Sequence, residues 1–292
     1  MNDLLEITGL HKSYGSTKVL CGLNLTAARG EVVGILGRNG AGKTTLFRLI
    51  LDLLEKDAGE VRLDGKEPDG SGAIRQTIGY VPEHPVFHPR MTAAEVFAFR
   101  AGFYPRWDMA KALATAKRLE LQLDKKTAAF SKGGLAKLAW CCAVAHDPDL
   151  LLLDEPISGL DYLIKDKILD GLIGELISAQ KTVIIASHVM EDVFNLTNRL
   201  AVLSGGVIDT AYDTEKLKSE AFLVSARLKE KAVFKGEGSV LSSEGPILNI
   251  GVIGKEKLEK VLAAAELENA GHRLMTQAET FKTLLLSTKE EL

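Results

Sequence analysis

Apolar and polar positions change rhythm several times along the chain. From Leu4 to Leu25 apolar residues alternate loosely with polar ones and are interrupted at Gly9 and Gly15, a pattern that predicts short strands joined by turns. Glu31 to Leu36 is a compact apolar run bounded by Gly30 and Gly37, which suits a strand buried on both faces. A glycine-rich loop follows, and Thr44 to Leu54 carries helical spacing. Strand, loop and helix in this order open a parallel α/β unit.

Beyond an Asp64-Gly65 turn and the polar stretch Asp69 to Gly72, Ile78 to Val81 reads as a short strand ended by Pro82. From there to Ala145 the period is helical. Thr92 with Glu95 makes a capping box, while Met109, Ala112, Leu113 and Ala116, then Leu135, Leu138, Ala139 and Cys142, recur at helical spacing. An inserted helical subdomain over about residues 91–146 is expected. Strands return at Leu150 to Leu153, Val183 to Ala186 and Leu200 to Leu203, separated by helical stretches over Ile164 to Ala179 and Val189 to Leu196. Such alternation builds a mostly parallel sheet with crossover helices. Past about Asp213 come strand-like runs at Phe222 to Leu228 and Ile247 to Ile253 and a predicted helix over Lys255 to Ala270. The expectation is a first domain at 1–212 followed by a small α/β accessory domain at 213–292.

Composition narrows the function classes. The 292 residues are 46% hydrophobic and 26% charged, which excludes a disordered or fibrous chain. A formal net charge of -3 leaves no basic excess for tight nucleic-acid binding. Cys21, Cys141 and Cys142 have neither zinc spacing nor the density of a secreted disulfide scaffold, so a reducing cytoplasmic setting fits. The start, with Asp3 and Glu6, does not read as a signal peptide, and nowhere do about 18 apolar residues run together. A role at a membrane would have to pass through a partner.

Two segments carry candidate chemistry. Gly37-Arg38-Asn39-Gly40-Ala41-Gly42-Lys43-Thr44 fits the phosphate-loop pattern, with Lys and Thr directly after the second framing glycine. Backbone N–H groups can surround a polyphosphate only where side chains do not block the approach, which is the use of the glycines. Lys43 supplies a point charge for β and γ phosphates, Thr44 a hydroxyl for Mg²⁺, and the following helix its positive end. The alternative, a glycine turn with a solvated lysine, does not account for the placement between a buried strand and a helix. Asp149-Leu150-Leu151-Leu152-Leu153-Asp154-Glu155-Pro156 puts two carboxylates at the carboxyl end of an apolar strand, where open α/β sheets keep their ligands. Asp154 is positioned to hold Mg²⁺ and Glu155 to orient and deprotonate an attacking water; the alternative is a strand end that carries two exposed acids.

With these motifs in this order, residues 1 to about 212 resemble the ATP-binding subunit of an ABC transporter. The resemblance implies a P-loop NTPase of RecA-like α/β class: a parallel core sheet, an amino-terminal antiparallel β part and the inserted helical subdomain. It implies an ATPase with ATP and Mg²⁺ as cofactors, and nucleotide contacts by Tyr14, which would stack on adenine, and by Gly37, Arg38, Asn39, Gly40, Ala41, Gly42, Lys43, Thr44 and Thr45. Glu155 would be catalytic together with His188, which stands where the family has its switch histidine. Thr44, Asp154 and Glu83 would face the metal. Ser158, Gly159, Leu160 and Asp161 resemble the loop that contacts a second cassette. Ser131, Lys132, Gly133 and Gly134 fall where the family has the signature that binds the opposite subunit's ATP; taken alone, that segment reads as a plain helix cap.

The chain also departs from the family. Lys132 and Gly134 replace a glycine and a glutamine of the signature, Leu135 stands where an arginine often follows, and Glu83 replaces the glutamine that touches Mg²⁺ and water. A carboxylate at 83 binds metal more strongly but adds charge beside the triphosphate, or else it faces solvent. These variants, with Phe103-Tyr104-Pro105-Arg106-Trp107-Asp108, resemble ABC ATPases that serve separately encoded ABC-2-type export permeases. That subset implies a cytoplasmic subunit held at the inner face of the cell membrane, pairing with a second cassette, with His84 to Arg90 against the permease. Two other readings stand beside it: a soluble ABC protein acting on ribosomes or DNA, and a weakly hydrolysing regulatory subunit.

Overall fold

The computed structural model describes residues 3–157, 165, 168, 173–190, 193–230 and 232–287. Its first two strands, β1 (Asp3–Tyr14) and β2 (Thr17–Ala28), form a long hairpin, and β4 (Ala58–Leu63) adds to the outer side of β1 in an antiparallel sheet of order β2-β1-β4. Between them in sequence, β3 (Val32–Leu36) enters a different sheet and leads into helix α1 (Lys43–Ile50).

That second sheet has six strands in the order β5-β6-β7-β3-β8-β9. Here β5 is Ile78–Val81, β6 Leu150–Asp154, β7 Thr182–Ser187, β8 Arg199–Ser204 and β9 Val207–Asp213. The first five strands are parallel, and only β9 runs antiparallel to its neighbour. Every residue of β3, β6 and β7 is buried, as expected of strands covered on both faces.

Strand alternation divides the sheet's side chains between two cores. Val33, Ile35, Leu150, Leu152, Ile184 and Leu203 face one side, where Leu46, Phe47 and Ile50 of α1 meet Leu5, Ile7, Leu10 and Leu23 of the hairpin. Val32, Leu36, Leu151, Leu153, Val183 and Ile185 face the other and pack under the helices α2 (Ala93–Ala101), α3 (Met109–Arg118) and α4 (Lys132–Val144). The predicted capping box is present: Glu95 N–H donates to the Thr92 hydroxyl at 3.2 Å, and Thr92 N–H donates to the Glu95 carboxylate at 2.7 Å. Gly79 explains how closely α4 approaches β5, because a Cβ there would run into the Ala143 carbonyl.

A short helix α5 (Gly174–Ser178) precedes β7, and α6 (Thr214–Glu220) leads into the last sheet. Strands β10 (Ala221–Leu228), β11 (Ser239–Glu244), β12 (Ile247–Ile253) and β13 (Leu267–Leu274) make an antiparallel sheet of order β11-β12-β10-β13. Leu258 and Val261 of α7 (Lys255–Leu262) close a third core over it. The final helix α8 (Gln277–Ser287) contributes Leu284, and α6 Leu217, to the core beneath the parallel sheet. The last sheet is therefore tied to the first half of the chain by apolar packing.

Three element expectations are corrected. The helix after the phosphate loop ends at Ile50, not Leu54, because Asp52 takes a left-handed φ of 55°. The helix placed over Lys255 to Ala270 stops at Leu262; residues 263–266 turn, and from Leu267 the chain enters β13, whose pairing with β10 outweighs the helical propensity of that segment. Val193 to Leu196 forms hydrogen-bonded turns in place of a regular helix, while residues 191 and 192 lie outside the described set.

Leu284 is fully buried in the core under the parallel sheet. Leu284→Ala is expected to cost about 2–5 kcal/mol, as removal of a fully packed leucine does, read as a lowered chemical-denaturation midpoint.

Candidate functional site

Three neighbouring strands of the parallel sheet deliver their carboxyl ends to one place. β7 lies between β3 and β6, so the loop after β3, the acids at the end of β6 and the Ser187-His188 pair at the end of β7 converge at one edge of the sheet.

The loop from Gly37 is folded around its own lysine. Gly40 (φ 82°) and Gly42 (φ 108°) are both left-handed, and a Cβ at Gly42 would press on Val19 and Leu20 of the hairpin at 3.1 Å. Arg38, Asn39 and Gly40 are exposed, Ala41, Thr44 and Thr45 half-buried, and Lys43 buried. The Lys43 ammonium donates to the Gly37 carbonyl at 2.8 Å and lies 3.4 Å from Glu155 Oε1. Helix α1 begins at Gly42 with no side-chain cap and no acidic residue in its first turn, which leaves its positive end available to an anion.

Opposite the loop stand the two acids. Thr44 Oγ1 donates to Asp154 Oδ2 at 2.6 Å, joining the start of α1 to the end of β6. Asp154 is 1% exposed, and its other oxygen, Oδ1, is buried with no hydrogen-bond partner. Burial pushes its carboxyl above the usual range; the charges of Glu155 and Glu83 add to the rise, while the Thr44 hydrogen bond and Lys43 oppose it. Glu155 sits in a left-handed turn at φ 48°, with its N–H donating to the Ala186 carbonyl at 2.9 Å. Its Oε2 accepts from the Ser187 hydroxyl at 3.2 Å, and its Oε1 lies 2.8 Å from His188 Nδ1. The contacts of Oε1 with Lys43 and His188 are close enough for ion pairing but lack hydrogen-bond angles.

An orphaned, nearly fully buried carboxylate oxygen beside a threonine hydroxyl is the donor set of a hard cation. Among the described residues no group of three or more His, Cys, Asp or Glu can hold a metal by itself. One carboxylate and one hydroxyl would suit a hard cation such as Mg²⁺, which is usually held by few protein groups together with substrate oxygens.

The remaining expected residues are distributed around this centre. Tyr14 is 46% exposed at the end of β1, with the Lys12 ammonium 5.7 Å from its ring centre. Glu83, just past β5, has a side chain 40% exposed, within 3.7 Å of His84, and its charge reaches Asp154. Ser131 caps α4, its hydroxyl accepting from Gly134 N–H at 3.2 Å, and Lys132 is exposed. The structure also accounts for Gly134: a Cβ there would come within 2.7 Å of the Phe130 ring. Within this chain the Ser131 to Gly134 segment makes no hydrogen bond or ion pair with the phosphate loop among the described residues. Ser158, Gly159, Leu160 and Asp161 lie outside the described residues. Ser187, which grips Glu155, escaped the sequence reading; its place at a buried strand's end beside His188 is the signal that would have found it.

Comparison with known proteins shows the family of the chain. The family model described as ABC transporter matches residues 20–158. The ABC transporter ATP-binding protein YtrB of Bacillus subtilis (strain 168) is 31% identical over 217 residues, 74% of this chain and 74% of its own length. Nod factor export ATP-binding protein I of Bradyrhizobium diazoefficiens is 34% identical over 211 residues, 70% of this chain and 69% of its own. Among solved structures, the dimeric post-hydrolysis state of the ATP-binding cassette MJ0796, bound to ADP and Pi, aligns with a TM-score of 0.66 at 27% identity. The alignment covers 72% of this chain and 98% of that one. The fold is that of ABC ATPase cassettes, and the chain belongs to the ABC transporter family as one of its ATP-binding, ATPase subunits.

Proposed function

We propose that this subunit binds MgATP at the phosphate loop and hydrolyses it through Glu155, driving a separately encoded ABC-2-type export permease by ATP-dependent pairing of two cassettes. The observation that carries the reading is the 2.6 Å link from Thr44 to Asp154 beside a Glu155 held by Ser187 and His188. Thr44 and Asp154 would hold the cation, with Glu83 facing it from the end of β5. Bound Mg²⁺ would neutralise the phosphate oxygens and leave the terminal phosphorus open to attack.

The chain's own groups then divide the work. Lys43 is parked on Glu155 and the Gly37 carbonyl, and incoming β and γ phosphates draw it away. Glu155, released from that ion pair, takes the proton of the attacking water as the new P–O bond forms and the bond to ADP breaks. His188 steadies the same carboxylate through Nδ1 and keeps Nε2 for the γ-phosphate. Tyr14 stacks on adenine, and Gly37 to Thr45 hold the phosphates. Ser131, Lys132, Gly133 and Gly134 bind the γ-phosphate held by the second cassette, and Ser158 to Asp161 contact that cassette. Residues 1–212 form the cassette and 213–292 an accessory domain.

Docking to a permease is supported by an open groove of about 720 Å³ lined by Val86, Phe87, Met91, Val96 and Phe99, in which Val86 is 88% and Phe99 55% exposed. Such an apolar patch on one subunit marks an interaction site. No described helix is long and apolar enough to cross a membrane, in keeping with a peripheral place beside a partner at the cytoplasmic face. Relatives named for Nod factor export support the exporter assignment.

Two variants test the chemistry. Glu155→Gln is expected to keep ATP binding while steady-state phosphate release falls by about 100- to 10,000-fold and a dimer accumulates on gel filtration with ATP. A wild-type release rate would remove Glu155 from the mechanism. For Asp154 the sign follows from its raised carboxyl: the protonated form is favoured in the folded state, so stability from this group is present at low pH and lost as pH rises through the folded value. Asp154→Asn is therefore expected to raise the thermal midpoint of the nucleotide-free protein at pH 7.5. That advantage should shrink as pH falls toward the unfolded carboxylate range. Its Mg²⁺-dependent hydrolysis should drop by at least about 100-fold.

A further inference from the structure

Trp140 lies within α4, nine residues and about 13 Å along the axis from the capping Ser131. It is fully buried, and its indole N–H donates to the Pro156 carbonyl at 3.3 Å, one residue beyond Glu155. The sequence holds one other tryptophan, Trp107, and there the indole N–H is buried without a partner.

The turn that Trp140 grips is under local constraint. Glu155 has φ 48°, a conformation that a non-glycine residue keeps only where its surroundings impose it, and Pro156 contributes no N–H of its own. Two main-chain anchors hold the turn from outside. Glu155 N–H is tied to Ala186 on β7, and the Pro156 carbonyl is tied to Trp140 on α4. Ile157, 2% exposed in the same core, fixes the exit. A carboxylate on a turn pinned at both ends has its aim set by those pins, and one of them sits on the helix that starts at Ser131.

We infer that Trp140 is a positioning residue for hydrolysis: its N–H, through the Pro156 carbonyl, couples the placement of α4 to the aim of the Glu155 carboxylate. This rests on the reading of Glu155 as the base. A phosphate drawn to Ser131 acts on the start of a rigid helix, and the hydrogen bond delivers the displacement to the turn that carries the base. An apolar residue of similar size would fill the same space but transmit no fixed direction, because packing alone lacks the angular preference of a hydrogen bond.

The test is steady-state hydrolysis by the purified full chain. Trp140→Phe keeps most of the buried ring and removes the N–H. The expected result is a kcat per folded molecule lowered about tenfold, the rate equivalent of one net hydrogen bond, with KM for ATP within about twofold, beside the lowered thermal midpoint that a smaller buried ring and an unpaired carbonyl bring. A purely structural role would move the thermal midpoint and leave kcat per folded molecule intact. Should Trp140→Phe fold poorly, incorporation of the benzothiophene analogue of tryptophan into Trp107→Phe protein replaces the N–H by sulfur with the ring shape retained, and the same loss of kcat is expected. Wild-type kcat in the folded variant, beside an inactive Glu155→Gln, overturns this inference alone. Wild-type kcat in Glu155→Gln overturns the base assignment and this inference with it.

Discussion

Three adjacent parallel strands that end side by side make the rest possible. Parallel pairing forces the carboxyl ends of β3, β7 and β6 to the same edge of the sheet, and the order β6-β7-β3 sets the acids and the phosphate loop on either side of Ser187 and His188. No loop has to travel far, and the side chains are placed by strands buried on both faces. The Thr44 to Asp154 hydrogen bond is the closure of this arrangement, spanning from α1 to the end of β6 across the strand between them.

Charge inside that closure is finely balanced. Asp154 and Glu155 are buried side by side, and Lys43 is the cation drawn in to offset them. In a poorly polarisable interior such a cluster is costly unless something further neutralises it, and the elevated Asp154 carboxyl records the cost. On the proposed reading, a magnesium nucleotide would bring both a cation for the acids and anions for the lysine, so that binding would relieve the cost and rearrange the ion pairs together. Glu155 sits on a left-handed turn anchored by Ala186 and Trp140, which on the same reading would keep the carboxylate aimed while its partners exchange.

Much of this was legible in the order of residues because the determining interactions are local. The glycines at 37, 40 and 42, the apolar run closing in Asp154 and Glu155, and the Thr92-Glu95 box each specify their own geometry within a few positions. What stayed hidden depends on contacts between distant segments. The alanine-rich run after Leu262 has helical propensity, yet it turns, and the residues from Leu267 onward pair with β10 as an edge strand. Phe130 explains Gly134 only once the loop is seen folded over the helix start. The grip of Ser187 on Glu155 and of Trp140 on Pro156 joins residues 32 and 16 positions apart, and no periodicity in the sequence announces either.

The claim at the centre is that the crevice at these strand ends receives a nucleotide whose cation is shared with Thr44 and Asp154. Isothermal titration of the full chain with ATP, run once with magnesium and once with the metal chelated, addresses it directly. Saturable heat for one nucleotide per chain is expected with magnesium, and markedly weaker binding without it. An absence of heat with magnesium, or an isotherm indifferent to the metal, would contradict it.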